Sequence, residues 1–115
     1  MDSTFCEEVR RDLTHDLRCF VGEPVAVEFH TPGRKGSDTV HTGTIAAVYH
    51  NGFLIDGGVI GARIFFSCAD LFAEHARIVD GPAASLVRRT VTRLRGELAR
   101  LLPPRMHNEL QLLPA

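Results

Sequence analysis

The order of apolar and polar positions divides the chain into a helix, a set of short strands and a second helix. Over residues 4–20 the apolar side chains recur at spacings of four, four, four and three, as on one face of an α-helix. Gly22 suits a left-handed exit, and Pro24 forbids continuation of the helix. The members of this apolar stripe are Phe5, Val9, Leu13, Leu17 and Phe20.

The middle of the chain has the pattern of short β-strands. Apolar and polar residues alternate there or cluster in β-branched and aromatic runs, which is typical of half-buried strands. Asn51-Gly52 can adopt positive φ at both positions, so it predicts a type I′ turn between two strands. The predicted strands are residues 24–31, 39–49, 53–55, 62–67 and 73–79, with one tight helical turn at 68–72.

The short connections between these strands set the topology. Parallel neighbours need crossovers longer than the chain provides, so the sheet should be antiparallel. Five short strands with a helical turn before the last are the plan of a small SH3-like or Sm-like barrel. The predicted fold is mainly β, with residues 1–80 forming an N-terminal helix and a five-stranded barrel. Residues 81–115 should add a basic amphipathic helix and a tail.

The second helix carries a heptad-like stripe. Gly81-Pro82 is a start signal that places Pro82 at the first helical position, and Pro103-Pro104 should end the helix. Because a stripe of two to three heptads is weak as an isolated coiled coil, we expect it to pack on the barrel or within a larger homodimer interface. The stripe consists of Val87, Val91, Leu94, Leu98 and Leu101.

Charge is unevenly distributed along a chain whose net charge is −1. Residues 81–115 hold six arginines and two glutamates, and the rest of the chain is correspondingly acidic. One interpretation is a basic face that binds anions or nucleic acid. The other is docking of the arginines on acids at residues 2–16. The arginines concerned are Arg88, Arg89, Arg93 and Arg95, and the loop at 31–38 offers Arg34 and Lys35 as a further anion contact.

Composition favours a folded cytoplasmic protein. The apolar fraction of 44% and the charged fraction of 23% are ordinary for a globular domain. No apolar run approaches the roughly 20 residues that cross a bilayer, and the first residues do not resemble a secretory signal. Three cysteines, none in a CxxC pair, argue against a disulfide framework. We therefore expect no membrane association.

Metal binding and catalysis have weak support in the sequence. His41 and His50 are nine residues apart and would face opposite sides of a regular strand, without the paired short spacing of zinc ligands. Ser67-Cys68-Ala69-Asp70 offers nucleophile and acid, but it stands at a strand-to-turn junction where Ser67 or Asp70 should cap the turn. We expect no enzyme activity, no cofactor and no small-molecule substrate.

The scarcity of aromatic residues expected at the surface makes nucleic-acid binding the less favoured function. Tyr49 and Phe53 flank the predicted turn, and we expect both in the core. Few aromatic side chains then remain exposed for stacking on bases.

Three stretches, GRK (33–35), GTIAAVYHNGF (43–53) and RIFFSCADLF (63–72), stand in an order that resembles the Veg family of small bacterial proteins, stimulators of biofilm formation. The resemblance covers residues 9–80. Three features depart from the family pattern: a short turn at 56–61, Cys68 where an aromatic residue is common, and the additional residues 81–115. The matching positions are Gly33, Arg34, Lys35, Gly43, Tyr49, Phe53, Arg63, Ile64, Phe66, Ser67, Ala69, Asp70 and Leu71.

The resemblance implies a fold and a class of function. Veg proteins have an Sm-like, SH3-type barrel, in agreement with the strand pattern. By resemblance, this chain should be a cytoplasmic, non-catalytic regulatory protein that binds a protein partner or itself as a homodimer. The alternative is a nucleic-acid-binding Sm-like module that uses the GRK loop and the C-terminal arginines.

Overall fold

Helices and strands follow one another along the chain in the order that the sequence predicts. The structure, a computed structural model, describes residues 3–30, 39–57 and 62–102. The predicted five strands, the helical turn before the last strand and the two longer helices are confirmed. In chain order the elements are α1 (Ser3–Arg18), β1 (Pro24–Phe29), β2 (Thr39–Tyr49), β3 (Gly52–Asp56), β4 (Arg63–Ser67), α2 (Cys68–Ala73), β5 (Ala76–Asp80) and α3 (Ala84–Leu101).

Helix α1 buries the predicted apolar stripe. Four of its five members are at most 5% exposed, and the fifth, Phe20, packs partly buried against the same core. The helix ends at Arg18, and the turn that follows reaches Gly22, whose φ of 89° confirms the left-handed exit. The Gly22 N–H donates to the Ile45 carbonyl at 2.7 Å, which joins the end of this turn to the sheet.

The five strands form one antiparallel sheet in the order β4-β3-β2-β1-β5. The β2–β3 hairpin turns at His50-Asn51, because Tyr49 pairs with Gly52. The prediction of a type I′ turn with Asn51 and Gly52 as its central residues is wrong, since neither of them has positive φ. Gly52 instead permits a close approach: a Cβ there would lie 2.5 Å from Cζ of Phe65.

A β-bulge in β2 changes which side chains face the core. Ala46 is an extra residue opposite β3, and it interrupts the alternation along the strand. Ile45 is fully buried before the bulge, whereas after it Val48 packs on the core and Tyr49 is 48% exposed. The prediction that Tyr49 lies in the core is therefore wrong, and the same prediction for Phe53 is confirmed.

The sheet is open. Strands β4 and β5 form its two edges, and among the described residues no ladder of hydrogen bonds joins them. Each edge strand has five residues, or about 17 Å, and the chain leaves β4 at Ser67 to enter α2 before β5 begins. The structure thus shows a mainly β protein with a five-stranded antiparallel sheet and helices. It does not confirm the closed SH3-like or Sm-like barrel.

Helix α3 packs against α1, α2 and β5. It begins at Ala84, two residues beyond Pro82, where the sequence places the first helical position. One cluster of buried apolar residues draws on α1, the sheet, α2 and α3 together. The segment after residue 80 therefore shares its core with the segment before it.

Candidate functional site

The apolar stripe of α3 is buried within the chain. Val87, Val91 and Leu94 are at most 6% exposed, and Leu98 packs partly buried on the core. Leu101, the last member, is 65% exposed. Because α1, α2 and β5 cover most of the stripe, it serves intramolecular packing, one of the two arrangements that the sequence allows.

Two of the α3 arginines make polar contacts within the chain. Arg93 donates from Nη2 to Oδ2 of Asp12 at 2.9 Å and from Nη1 to Oε1 of Glu97 at 3.0 Å. Arg95 donates to the Phe72 carbonyl at 2.7 Å, and its guanidinium carbon lies 5.8 Å from the centre of the Phe72 ring. Both guanidinium groups are therefore engaged within the chain.

The other predicted cations differ in position. Arg88 and Arg89 are exposed on α3, and within the described part of the chain neither side chain forms an ion pair or a hydrogen bond. The predicted site at Arg34 and Lys35 lies outside the described residues. Of the two predicted sets of cations, the structure therefore describes the one on α3.

Polar contacts join α1 to α3 beside the core. The buried Thr90 hydroxyl donates to the carboxylate of Asp16, which is 9% exposed. Nearby, burial works to raise the pKa of Asp12, but hydrogen bonds from Arg93 and Arg11 outweigh it and hold that pKa below its usual value. The predicted docking of α3 arginines on acids of the first helix is therefore observed at Asp12.

A second carboxylate on α1 faces a like charge. Desolvation, followed by the neighbouring carboxylate of Glu97, raises the pKa of Glu8. Since Glu97 also accepts from Arg93, the cation and both acids lie together at the exposed margin of the helix pair.

The Ser-Cys-Ala-Asp stretch has a structural role. Ser67 is the N-cap of α2, and its hydroxyl accepts from the Asp70 N–H at 3.0 Å, which confirms the predicted cap. Cys68 is 1% exposed, and burial raises the pKa of its thiol to about 11, against the opposing effect of Arg10 and Arg18. A buried, protonated thiol is a poor nucleophile. Among the described residues, no group of three or more potential ligands could hold a metal ion.

A cationic groove that the sequence analysis missed runs along α1 beside the β2–β3 turn. Arg10 and Arg18 have no acidic partner among the described residues, whereas Arg11 pairs with Asp12 at 3.2 Å. Arg10 and Arg18 lie eight residues apart, a spacing that keeps them near one helix face, but the five acids of residues 1–18 conceal it. This α1 groove measures about 380 Å³ and is lined by Glu7, Arg10, Arg11, Thr14, Arg18 and His50.

A second depression adjoins the α1 groove at Arg10. It lies between α1, the β2–β3 turn and the start of α2, and it measures about 390 Å³. The lining combines apolar groups with hydrogen-bonding ones, as in small ligand sites. This Phe72 hollow is lined by Cys6, Val9, Arg10, Asn51, Ser67, Ala69 and Phe72.

The sheet exposes apolar side chains on the face turned away from the helices, which we call the outer sheet face. Tyr49 and Phe65 are 48% and 44% exposed, and their ring centroids lie 6.2 Å apart. Val40 on β2 and Val79 on β5 are also exposed, at 54% and 40%. Exposed apolar groups collected on one face are a feature of interaction surfaces.

No protein-family model, no curated protein and no solved structure matches this chain. The resemblance to the Veg family consequently rests on the sequence motifs alone. In the part of the chain that the structure describes, no helix combines the length and apolar character needed to cross a membrane.

Proposed function

We propose that this chain is a non-catalytic regulatory binding protein of the Veg type, and that it contacts a protein partner or a second copy of itself. The observation that carries the proposal is the exposed aromatic pair Tyr49–Phe65 on the outer sheet face. Aromatic side chains of this kind are the usual anchors of protein interfaces. A cytoplasmic role in biofilm-related regulation follows from the resemblance to the Veg family, and so does an Sm-like arrangement of the strands.

The roles of the reactive residues support a binding function. Ser67 caps a helix and Cys68 is buried in the core. Arg95 is held by the Phe72 carbonyl inside the fold. The residues that suggest chemistry in the sequence are thus used for structure, and the outer sheet face offers an exposed pair of aromatic side chains.

Site-specific photocrosslinking tests the outer sheet face in the cells that make the protein. Benzoylphenylalanine placed at position 65 should give discrete covalent adducts that protease removes and nuclease does not. The control is the same group at position 21, where Val21 is 50% exposed in the turn after α1. Adducts of twice the chain mass identify self-association, and larger or smaller ones identify another protein. An equal pattern from positions 65 and 21 would contradict the proposal.

Nucleic-acid binding through the cations predicted from the sequence is a second candidate. The observation in its favour is that Arg88 and Arg89 are exposed and have no partner among the described residues. Binding of RNA or DNA that weakens steeply with salt, and that is lost on replacing Arg34 and Lys35 by alanine, would support it. Adducts from position 65 that nuclease shortens would also favour this candidate over a protein partner.

A further inference from the structure

The α1 groove presents positive charge in an extended arrangement. Arg10 and Arg18 are eight residues apart on one helix, which places their backbones about 12 Å apart along its axis. His50 enters the same groove from the β2–β3 turn. A ligand that meets both arginines must therefore carry negative charge at more than one point along its length.

Arg10 and Arg18 line the same groove and also act on the same neighbouring thiol. Arg10 and Arg18 both act on the Cys68 thiol, whose pKa each of them lowers against the larger effect of burial. Cys68 is the first residue of α2, so both cations lie near the junction of α1, β4 and α2. Glu7 is the acidic side chain that lines the groove, and Arg11 beside it already pairs with Asp12.

The lining of the α1 groove distinguishes between kinds of anion. It has four cationic or titratable side chains, one hydroxyl and one carboxylate, and it has no apolar side chain. An acidic peptide would find apolar surface at one end of the groove, in the Phe72 hollow, and most of its side chains would stay exposed, although burial supplies most of a peptide's affinity. A chain of phosphates needs cations alone, and the planar guanidinium matches a phosphate with two parallel hydrogen bonds.

The Phe72 hollow, next to the α1 groove, offers apolar surface for a group attached to a chain of phosphates. Val9 and Phe72 offer an apolar wall, and Asn51 offers a side-chain amide that can donate and accept. The hollow has the size of a small ligand site, and it meets the α1 groove at Arg10, which lines both. A flat ring bearing polar edges fits this combination.

We propose that the α1 groove binds the phosphate backbone of a single-stranded nucleic acid and that the Phe72 hollow receives one of its bases. Arg10 and Arg18 hold phosphates, and the adjoining base leaves the strand to enter the hollow beside Arg10. This inference goes beyond the proposed function: it uses neither the outer sheet face nor the cations of the GRK loop and α3.

Salt-dependent binding of a fluorescent oligothymidylate of about 15 nucleotides tests the groove. Each phosphate contact should contribute about −0.7 to the slope of log affinity against log salt concentration. The double variant Arg10→Gln/Arg18→Gln should therefore lose about 1.4 from that slope and most of its affinity at about 50 mM salt. The matched control is Arg88→Gln/Arg89→Gln, which removes the same charge from α3 and should leave the slope unchanged.

A second pair of variants tests the hollow separately from the charges. Ala69→Phe fills the Phe72 hollow without altering any charge. It should weaken binding by about fivefold or more, the effect of losing one stacked base, while the salt slope stays the same. Ala46→Phe, at an exposed position of β2, adds the same ring outside the hollow and should change neither quantity.

The outcomes separate this inference from its competitors. It is overturned if the oligonucleotide does not bind at about 50 mM salt, or if the α3 control weakens binding as much as the groove variant. Equal affinity for polyglutamate would assign the groove to acidic peptides. Because none of the replaced side chains belongs to the buried core, thermal melting of each variant should match the parent protein. Photocrosslinks from position 65 report on the outer sheet face, so the test of the proposed function is independent of these binding measurements.

Discussion

Replacing Gly81 by alanine should destabilise the fold much more than replacing Gly22, although both glycines have positive φ. Gly81 joins β5 to α3 with a φ of 104°, and Gly22 follows α1 with a φ of 89°. A Cβ at Gly22 would have no atom within 4 Å, whereas a Cβ at Gly81 would collide with the Pro24 carbonyl oxygen in β1. The pair therefore separates the cost of left-handed backbone from the cost of a close approach between segments.

The expected magnitudes follow from these two surroundings. A left-handed conformation costs an L-residue about 1–2 kcal/mol, and this applies at both positions. At Gly81 the obstacle is backbone of a strand paired on both sides, so it cannot rotate away as a side chain would. Displacing packed structure adds about 1–3 kcal/mol. We expect losses of about 1–2 kcal/mol for Gly22→Ala and about 2–5 kcal/mol for Gly81→Ala.

Urea unfolding followed by far-ultraviolet circular dichroism gives the required comparison. The chain has no tryptophan and a single tyrosine, so backbone ellipticity is a better signal than fluorescence. With a common slope, the shift in midpoint gives the change in the free energy of unfolding. Equal losses from the two variants, or a larger loss at Gly22, would refute the close approach of Gly81 to β1.

Leu94→Ala should lower the free energy of unfolding by about 2–5 kcal/mol because Leu94 is fully buried. Leu101→Ala, at an exposed position, should change that free energy by less than about 0.5 kcal/mol. Equal effects of the two variants in urea unfolding would contradict a buried helix face. The lowered pKa of Asp12 should stabilise the fold above the ordinary aspartate pKa and cease to do so as the pH falls through the lowered value. The stability difference between the parent and Asp12→Asn should thus shrink from about pH 5 downward, and a difference independent of pH would exclude this linkage. In thiol labelling of the native protein, exposed Cys19 should react at once. Buried Cys68, whose pKa is raised to about 11, should react only on unfolding. Rapid labelling of Cys68 would contradict its burial.

The regular elements follow from local patterns, and the sequence therefore predicts them well. Both helical stripes repeat with a helical period, and the residues that the period selects pack on the core except Leu101 at the end of α3. The strand segments are bounded by glycine and proline, so the sequence predicts their number and their antiparallel pairing. It does not predict whether the sheet closes, because closure depends on whether the two edge strands meet, and no local pattern specifies that.

The side chains that misled the prediction do so for identifiable reasons. Tyr49 faces solvent because the bulge at Ala46 shifts the alternation by one residue, and a bulge leaves little trace in a single sequence. The sequence does not predict the α1 groove because His50, in the hairpin turn, is more than 30 residues away in sequence from Arg10 and Arg18. A site assembled from separate segments becomes visible only once the fold brings them together.

The buried hydrogen bond between Thr90 and Asp16 has a consequence for synthesis of the chain. Its partners are 74 positions apart, so a carboxylate on α1 has no companion until most of the described chain has left the ribosome. The apolar face of α3 arrives equally late to cover α1 and β5. Nascent chains that stop short of residue 90 should therefore remain protease-sensitive and attract chaperones, and compaction should come in a single late step.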